Sequence, residues 1–282
     1  MRPILFDIPL GSTPFGLHTY GVSIAVAFLV AISVGTRTAA RSGEDPDRVR
    51  DLCFWLLVSS LVGARLLFIL TNVPDYVRIC RELGDCTRAL RVWEGGLVFF
   101  GGFFGALVTG VLYMRHFGMR VWRVADILAP SVPLGQFFGR LGCWAAGCCW
   151  GRPAGGLALH WAARFPRVSL VWQDYVARHA LSPDALTTPP LHPVQLYEAF
   201  ADLCLFFALS ILGRRKRFDG EVLCAYLAGY AILRFVLELF RGDDARKFLV
   251  AGLSTSQAIA LATLPLALVL AWSRRRSAFS RA

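Results

Sequence analysis

The chain has 282 residues, of which 56% are hydrophobic and only 17% charged. Soluble domains carry roughly a quarter charged residues, so a soluble globular protein and a disordered one are both excluded, and a mean hydropathy of +0.53 points to a membrane. The formal net charge of +11 does not indicate nucleic acid, because Lys and Arg fall in short clusters between apolar runs rather than along one polar face.

The N-terminus reads as mature protein, since one Arg followed by a short run broken at Asp7 and Pro9 lacks the apolar core of a cleaved leader. A helix crosses the hydrocarbon core with about 20 apolar residues. Windows of that kind run from Tyr20 to Gly35, from Leu52 to Leu70 with Arg65 inside, and from Gly95 to Met114. A weaker one runs from Val121 to Gly139, where Pro130 and Pro133 predict a broken helix. Val194 to Gly213 carries Glu198 and Asp202, Glu221 to Phe240 carries Arg234 and Glu238, and Leu249 to Ser273 is uncharged. These windows predict an all-α polytopic membrane protein with about seven transmembrane helices, a single membrane domain over residues 1–282 with one long loop at about 151–193.

Lys and Arg in short loops are retained on the cytoplasmic side. Arg37, Arg41, Arg48 and Arg50 follow the first window, Arg115, Arg120 and Arg123 the third, Arg214 to Arg217 the fifth, and Arg274 to Arg276 the seventh. The intervening segments mix bases with acids or are long. The N-terminus is therefore expected outside, the C-terminus in the cytoplasm and the 151–193 loop on the outer face.

A charge at the bilayer centre costs at least about 2.5–3.5 kcal/mol, so intramembrane ionisable groups mark candidate sites. Tyr230, Arg234, Glu238 and Arg241 follow one another at helical spacing and are expected on one stripe. Two readings stand side by side: Arg234 and Glu238 neutralise each other structurally, or Glu238 holds the Arg234 guanidinium in an anion site. A second locus is the glycine-dense stretch from Gly139 through Arg140 and Gly142 to Gly151, Arg152 and Pro153, where backbone can approach a ligand and arginine can fork onto phosphate. A third contains Trp93, Glu94, Gly95 and Gly96, followed by Gly101 and Gly105, whose spacing reads first as close helix packing.

Of the eight cysteines, Cys53, Cys204 and Cys224 read as small core residues. Cys80 and Cys86 share a loop expected outside and are expected to form a local disulfide. Cys143, Cys148 and Cys149 lack the usual Cys-x-x-Cys metal spacing, so no metal is expected. A Cys143–Cys148 disulfide is favoured there over a catalytic nucleophile.

Taken in order, these residues resemble the prolipoprotein diacylglyceryl transferase family from about Tyr20 to the last window. The resemblance rests on His18-Thr19-Tyr20-Gly21, Trp93-Glu94-Gly95-Gly96, Gly139-Arg140-Leu141-Gly142 ending in Gly151-Arg152-Pro153, His192-Pro193-Val194-Gln195-Leu196-Tyr197-Glu198, and Tyr230 to Arg241 followed by Gly252-Leu253-Ser254. It implies a multi-pass enzyme of the bacterial inner membrane, without a cofactor. The implied reaction moves diacylglyceryl from phosphatidylglycerol to the lipobox cysteine thiol of a prolipoprotein signal peptide, releasing glycerol phosphate. The implied partners are those two substrates and membrane lipids, with no nucleic acid.

The resemblance implies catalytic roles for Arg234, Tyr20 and Glu238. It implies substrate contacts for Arg140, Gly142, Gly151, Tyr230, Arg241, Glu94, Gly95 and Gly96, with the lipid headgroup on Arg140. Arginines can hold the departing phosphate without a metal and lower an incoming thiol from its usual pKa of about 8.5. The sequence departs from the family where Gly-Asn-Phe-x-Asn-Gly-Glu is usual: Cys143, Ala146 and Cys148 replace the two asparagines and the glutamate, and Phe100 stands where a histidine is usual. Those departures carry two further readings, a non-catalytic relative that binds anionic lipid and an enzyme of the same fold with different thiol chemistry.

Overall fold

The computed structural model describes residues 4–10, 13–91, 95–242 and 252–279. The chain opens on an antiparallel hairpin, β1 (Ile4–Leu10) and β2 (Thr13–His18), and is otherwise built from helices. They are α1 (Thr19–Arg41), α2 (Pro46–Thr71), α3 (Val73–Leu83), α4 (Phe99–His116), α5 (Val121–Leu128), α6 (Ser131–Ala146), α7 (Leu170–Ala177), α8 (Val194–Arg215), α9 (Glu221–Glu238) and α10 (Thr255–Phe279). Among the described residues, α1, α2, α8 and α10 are long and apolar enough to cross a membrane. The helices α4 and α9 have 18 residues each, and α9 includes three charged residues, Glu221, Arg234 and Glu238.

The expected break in the fourth window is present. Helix α5 stops at Leu128 and α6 starts at Ser131, because Pro130 has no N–H to donate and disfavours helical backbone at Ala129. Pro133 is tolerated because it sits in the first turn of α6, where backbone N–H groups have no helical partner. The third window becomes helical only at Phe99, since Gly95 and Gly96 adopt φ of +85° and +74°. Leu249 lies outside the described residues, and the last helix begins at Thr255.

The described residues cluster into two compact units, one from residues 36–124 and one from residues 1–35 and 125–282. In the first, Pro46 opens α2 and the Asp45 carboxylate caps it by accepting from Asp47 N at 2.9 Å. Helices α2 and α4 meet backbone to backbone. A Cβ on Gly63 would lie 2.4 Å from Gly101 O, and one on Gly105 would lie 2.5 Å from Ser59 O. The packing role expected of Gly101 and Gly105 is therefore what the structure contains. The buried Arg65 of α2 donates to the carbonyls of Gly95 (2.6 Å), Gly96 (3.2 Å) and Arg88 (2.8 Å), which fixes the left-handed glycine turn ahead of α4. Cys80 and Cys86 form the expected disulfide.

In the second unit, α6 packs on α8, α8 on α9, and α9 on α10. The start of α9 has no cap of its own, since Gly220 precedes it. Asp126 of α5 supplies one: its buried carboxylate accepts from Gly220 N at 2.8 Å and Leu223 N at 3.0 Å and pairs with Lys216 Nζ at 3.0 Å. The segment after α6, expected as a long loop, is folded. Trp150, Phe165, Val171 and Leu191 form a small core of its own, and Thr188 exchanges hydrogen bonds with the Phe165 backbone at 2.9 and 3.0 Å. Asp126→Ala should lower stability by about 1–3 kcal/mol, the range for leaving buried donors unpaired. Thermal unfolding in detergent micelles would show this as a clear drop, with little change for the more exposed Asp219→Ala.

Candidate functional site

Helix α8 sets the site by its buried face. Val194, Gln195, Glu198, Ala199 and Asp202 are buried on it, at the three- and four-residue spacing that keeps side chains on one side of a helix. Cys204 falls off that stripe and is exposed, unlike Cys53 and Cys224, which occupy the expected core positions. Two of the five residues are acidic and lie within a helix long and apolar enough to span a membrane, so they need cationic partners.

Glu198 has three. Its side chain is 4% exposed, and it pairs with Arg140 Nη1 at 3.0 Å, Arg234 Nη1 at 2.8 Å and Arg241 Nη1 at 3.2 Å. A carboxylate offers about four lone-pair positions, enough to accept from several guanidiniums at once. Arg234 also pairs with Glu238 Oε2 at 2.7 Å, a close ion pair out of line for a hydrogen bond, and donates to Ser256 Oγ at 3.0 Å. Ser256 is held in turn by a reciprocal cap at the start of α10: Gln257 N donates to Ser254 Oγ (3.2 Å) and Ser254 N to Gln257 Oε1 (3.0 Å). Arg140, Glu198, Asp202, Tyr230 and Arg234 line one narrow crevice, with room for about one water.

The expected single stripe from Tyr230 to Arg241 is corrected by the structure. Helix α9 ends at Glu238, and Arg241 lies beyond it, in an antiparallel bridge to Gly151. The backbone is drawn away from the helix because Gly242 N donates to Trp150 O at 3.1 Å and Arg152 N to Phe240 O at 2.9 Å. Gly151 N donates to His192 O at 3.1 Å on the other side, and a Cβ on Gly151 would lie 2.4 Å from that oxygen. Only glycine fits between these two segments. Gly142 has a related role in α6, where a Cβ would lie 2.9 Å from Ser23 Cβ and 3.2 Å from the Tyr20 ring. Tyr20 itself is exposed at the start of α1.

The motif around His192 holds this end of the unit together. Tyr197 accepts from Trp161 Nε1 at 2.7 Å and lies 3.2 Å from His192 Nδ1. Burial and the neighbouring Arg152 hold His192 below the usual histidine pKa, which suits a neutral ring that accepts from the tyrosine hydroxyl. Cys143, Cys148 and Cys149 are free thiols, so the disulfide expected between the first two is not formed.

A sequence profile of the family described as prolipoprotein diacylglyceryl transferase matches residues 3–273. The chain belongs to this family. Among relatives of that name, specified as phosphatidylglycerol–prolipoprotein diacylglyceryl transferases, the one from Proteus mirabilis is 32% identical over 284 residues, covering 97% of this chain and 92% of its own. One from Azoarcus sp. is 34% identical, covering 91% and 90%, and one from Clostridium tetani 30%, covering 94% of each.

Of the diacylglyceryl transferase positions named from sequence, Arg140, Tyr230, Arg234, Glu238 and Arg241 come together around Glu198, with Gly142 and Gly151 packed beside them. Gly95 and Gly96 belong to the other compact unit, and Glu94 lies outside the described residues. Glu198 was noted from the sequence as a charge in its window and as the end of the motif beginning at His192, but was given no site role. The signal was present, since it is an acid inside an apolar window. Breaking a buried ion pair by removing one partner costs about 3–5 kcal/mol. Glu198→Gln should therefore lower the thermal midpoint in detergent well beyond Glu238→Gln, which releases one guanidinium where Glu198 holds three. Equal shifts would remove Glu198 from the centre of the cluster.

Proposed function

We propose that the chain transfers the diacylglyceryl group of phosphatidylglycerol to the cysteine thiol in the lipobox of a prolipoprotein signal peptide, releasing glycerol phosphate. The observation that carries this reading is the meeting of Arg140, Arg234 and Arg241 on Glu198 beside a narrow crevice. The relatives' names supply the substrates. The thiol sulfur attacks the glyceryl carbon, the carbon–oxygen bond to phosphate breaks, and the leaving phosphate takes up the electron pair and the thiol's proton. Guanidiniums fixed in a low-dielectric site stabilise that charge without reorganising. Over the ion pairs, three guanidiniums face two carboxylates, Glu198 and Glu238. With Asp202, the third buried acid here, guanidiniums and carboxylates are equal in number, so an incoming anion competes with the carboxylates for the guanidinium forks.

In this reading Arg140 holds the headgroup phosphate and Arg234 the developing charge. Glu238 is a positioning residue that acts through Arg234. Tyr20 and Tyr230 border the lipid, and Glu94, Gly95 and Gly96 contact substrate. The thiol is the reacting nucleophile, and an arginine-rich crevice favours its ionised form.

The topology that accompanies this activity is multi-pass in the bacterial inner membrane: seven spans formed by α1, α2, α4, the broken pair α5 and α6, α8, α9 and α10. The N-terminus and the 151–193 lobe lie outside, and the C-terminus lies in the cytoplasm, as the arginine clusters require. The chain then acts as one membrane domain among membrane lipids.

Three outcomes test this reading. Expression in a bacterium depleted of its own transferase should restore lipid attachment to a reporter lipoprotein. Arg140→Lys keeps the charge but loses the planar fork, and should reduce transfer by about 100-fold or more, the scale of removing one transition-state donor. Wild-type transfer by both Arg140→Lys and Arg140→Ala would end the phosphate role. Alkaline phosphatase fused after Arg276 should be inactive, and fused within the lobe near Ser182 it should be active.

A further inference from the structure

The turn that ends α6 gathers three thiols. The sulfur atoms of Cys143, Cys148 and Cys149 all lie within 4.8 Å of one another. Cys143 is buried and the other two are half-buried, so the cluster is reachable from one side.

Backbone geometry produces this arrangement. Gly147 turns left-handed at φ +66° and closes the helix with bonds to Cys143 O and Trp144 O. Cys148 N donates to Cys143 O at 3.1 Å, and Gln195 Nε2 donates to Cys148 O at 2.7 Å. Cys149 holds φ of +59°, a conformation that non-glycine residues adopt only where the surroundings enforce it. The two loop sulfurs are thereby turned back toward the one on the helix and held there.

A single soft cation draws sulfurs to this kind of separation. With metal–sulfur bonds of about 2.3 Å, trigonal or tetrahedral coordination places the sulfurs about 3.8–4.0 Å apart, a small closure from the separations present. Thiolates select thiophilic ions such as Zn²⁺ and Cu⁺ over hard ones. A three-thiolate complex carries net negative charge with either ion, and the guanidinium of Arg241 reaches Cys149 and offsets it.

We propose that Cys143, Cys148 and Cys149 form a binding site for one thiophilic d¹⁰ cation, Zn²⁺ or Cu⁺, set against Arg241. Binding replaces three S–H bonds by three metal–sulfur bonds. The protons leave to solvent, and no electrons are exchanged. The site does not rest on the lipid-transfer reading, although it shares Arg241 with the ion-pair cluster. A disulfide between any two of the three would take two of its ligands.

The test is a Cd²⁺ titration of the purified full-length protein in detergent, reduced with a phosphine. Sulfur-to-metal charge-transfer absorption should saturate at one equivalent, and Zn²⁺ or Cu⁺ should displace the Cd²⁺. Serine at Cys53, Cys80, Cys86, Cys204 and Cys224 together should leave the absorption in place. Cys148→Ser and Cys149→Ser, each made singly in the otherwise unchanged chain, should each weaken binding tenfold or more. Absence of the band at one equivalent, its survival in both single variants, or a disulfide within this trio in unreduced protein by mass spectrometry would overturn the proposal.

Discussion

One carboxylate organises the larger compact unit. Glu198 is buried on α8, and an ionised group removed from water is tolerated only when opposite charge and hydrogen bonds replace the lost hydration. Three guanidiniums supply both, from α6, from α9 and from the segment after α9. Each element must then lie where its arginine can reach Glu198, so the same constraint that makes the acid tolerable also brings the cations of the proposed chemistry to one place. The capped start of α10 completes the arrangement by presenting Ser256 to Arg234.

Arg65 meets the same difficulty in the other unit, and main chain contributes to its answer. Its guanidinium donates to the carbonyls of Arg88, Gly95 and Gly96. The Gly95 and Gly96 carbonyls belong to a turn outside any helix, so Arg65 serves the backbone as much as the backbone serves Arg65. Arg140, Arg234 and Arg241 have carboxylate partners, which an incoming anion can compete with for the same forks.

Much of this was legible in the sequence. The apolar windows mark α1, α2, α8 and α10 to within about six residues at either end, because a helix in lipid must satisfy its own backbone and advertises itself by composition. The proline break between α5 and α6, the glycine contact between α2 and α4, and the arginines of the site follow from local residue chemistry. Three features depend on pairings between distant segments and have no local signal. These are the convergence on Glu198, the departure of Arg241 from the helix, and the small core of Trp150, Phe165, Val171 and Leu191, whose members recur at no fixed period. The cap made by Ser254 and Gln257 is a different case, since Ser-x-x-Gln before an apolar run is readable without any structure.

The order in which Glu198 meets its partners has a consequence for biogenesis. Synthesis runs from the N-terminus, so Arg140 already exists when α8 emerges, whereas Arg234 and Arg241 do not. An ionised group left alone in an apolar surrounding is costly, and α8 and α9 each bring charges that the other neutralises. On the proposed seven-span topology, the two helices are therefore expected to enter the membrane as a paired unit rather than one after the other. A chain ending between them would leave α8 with a carboxylate matched by one of its three guanidiniums.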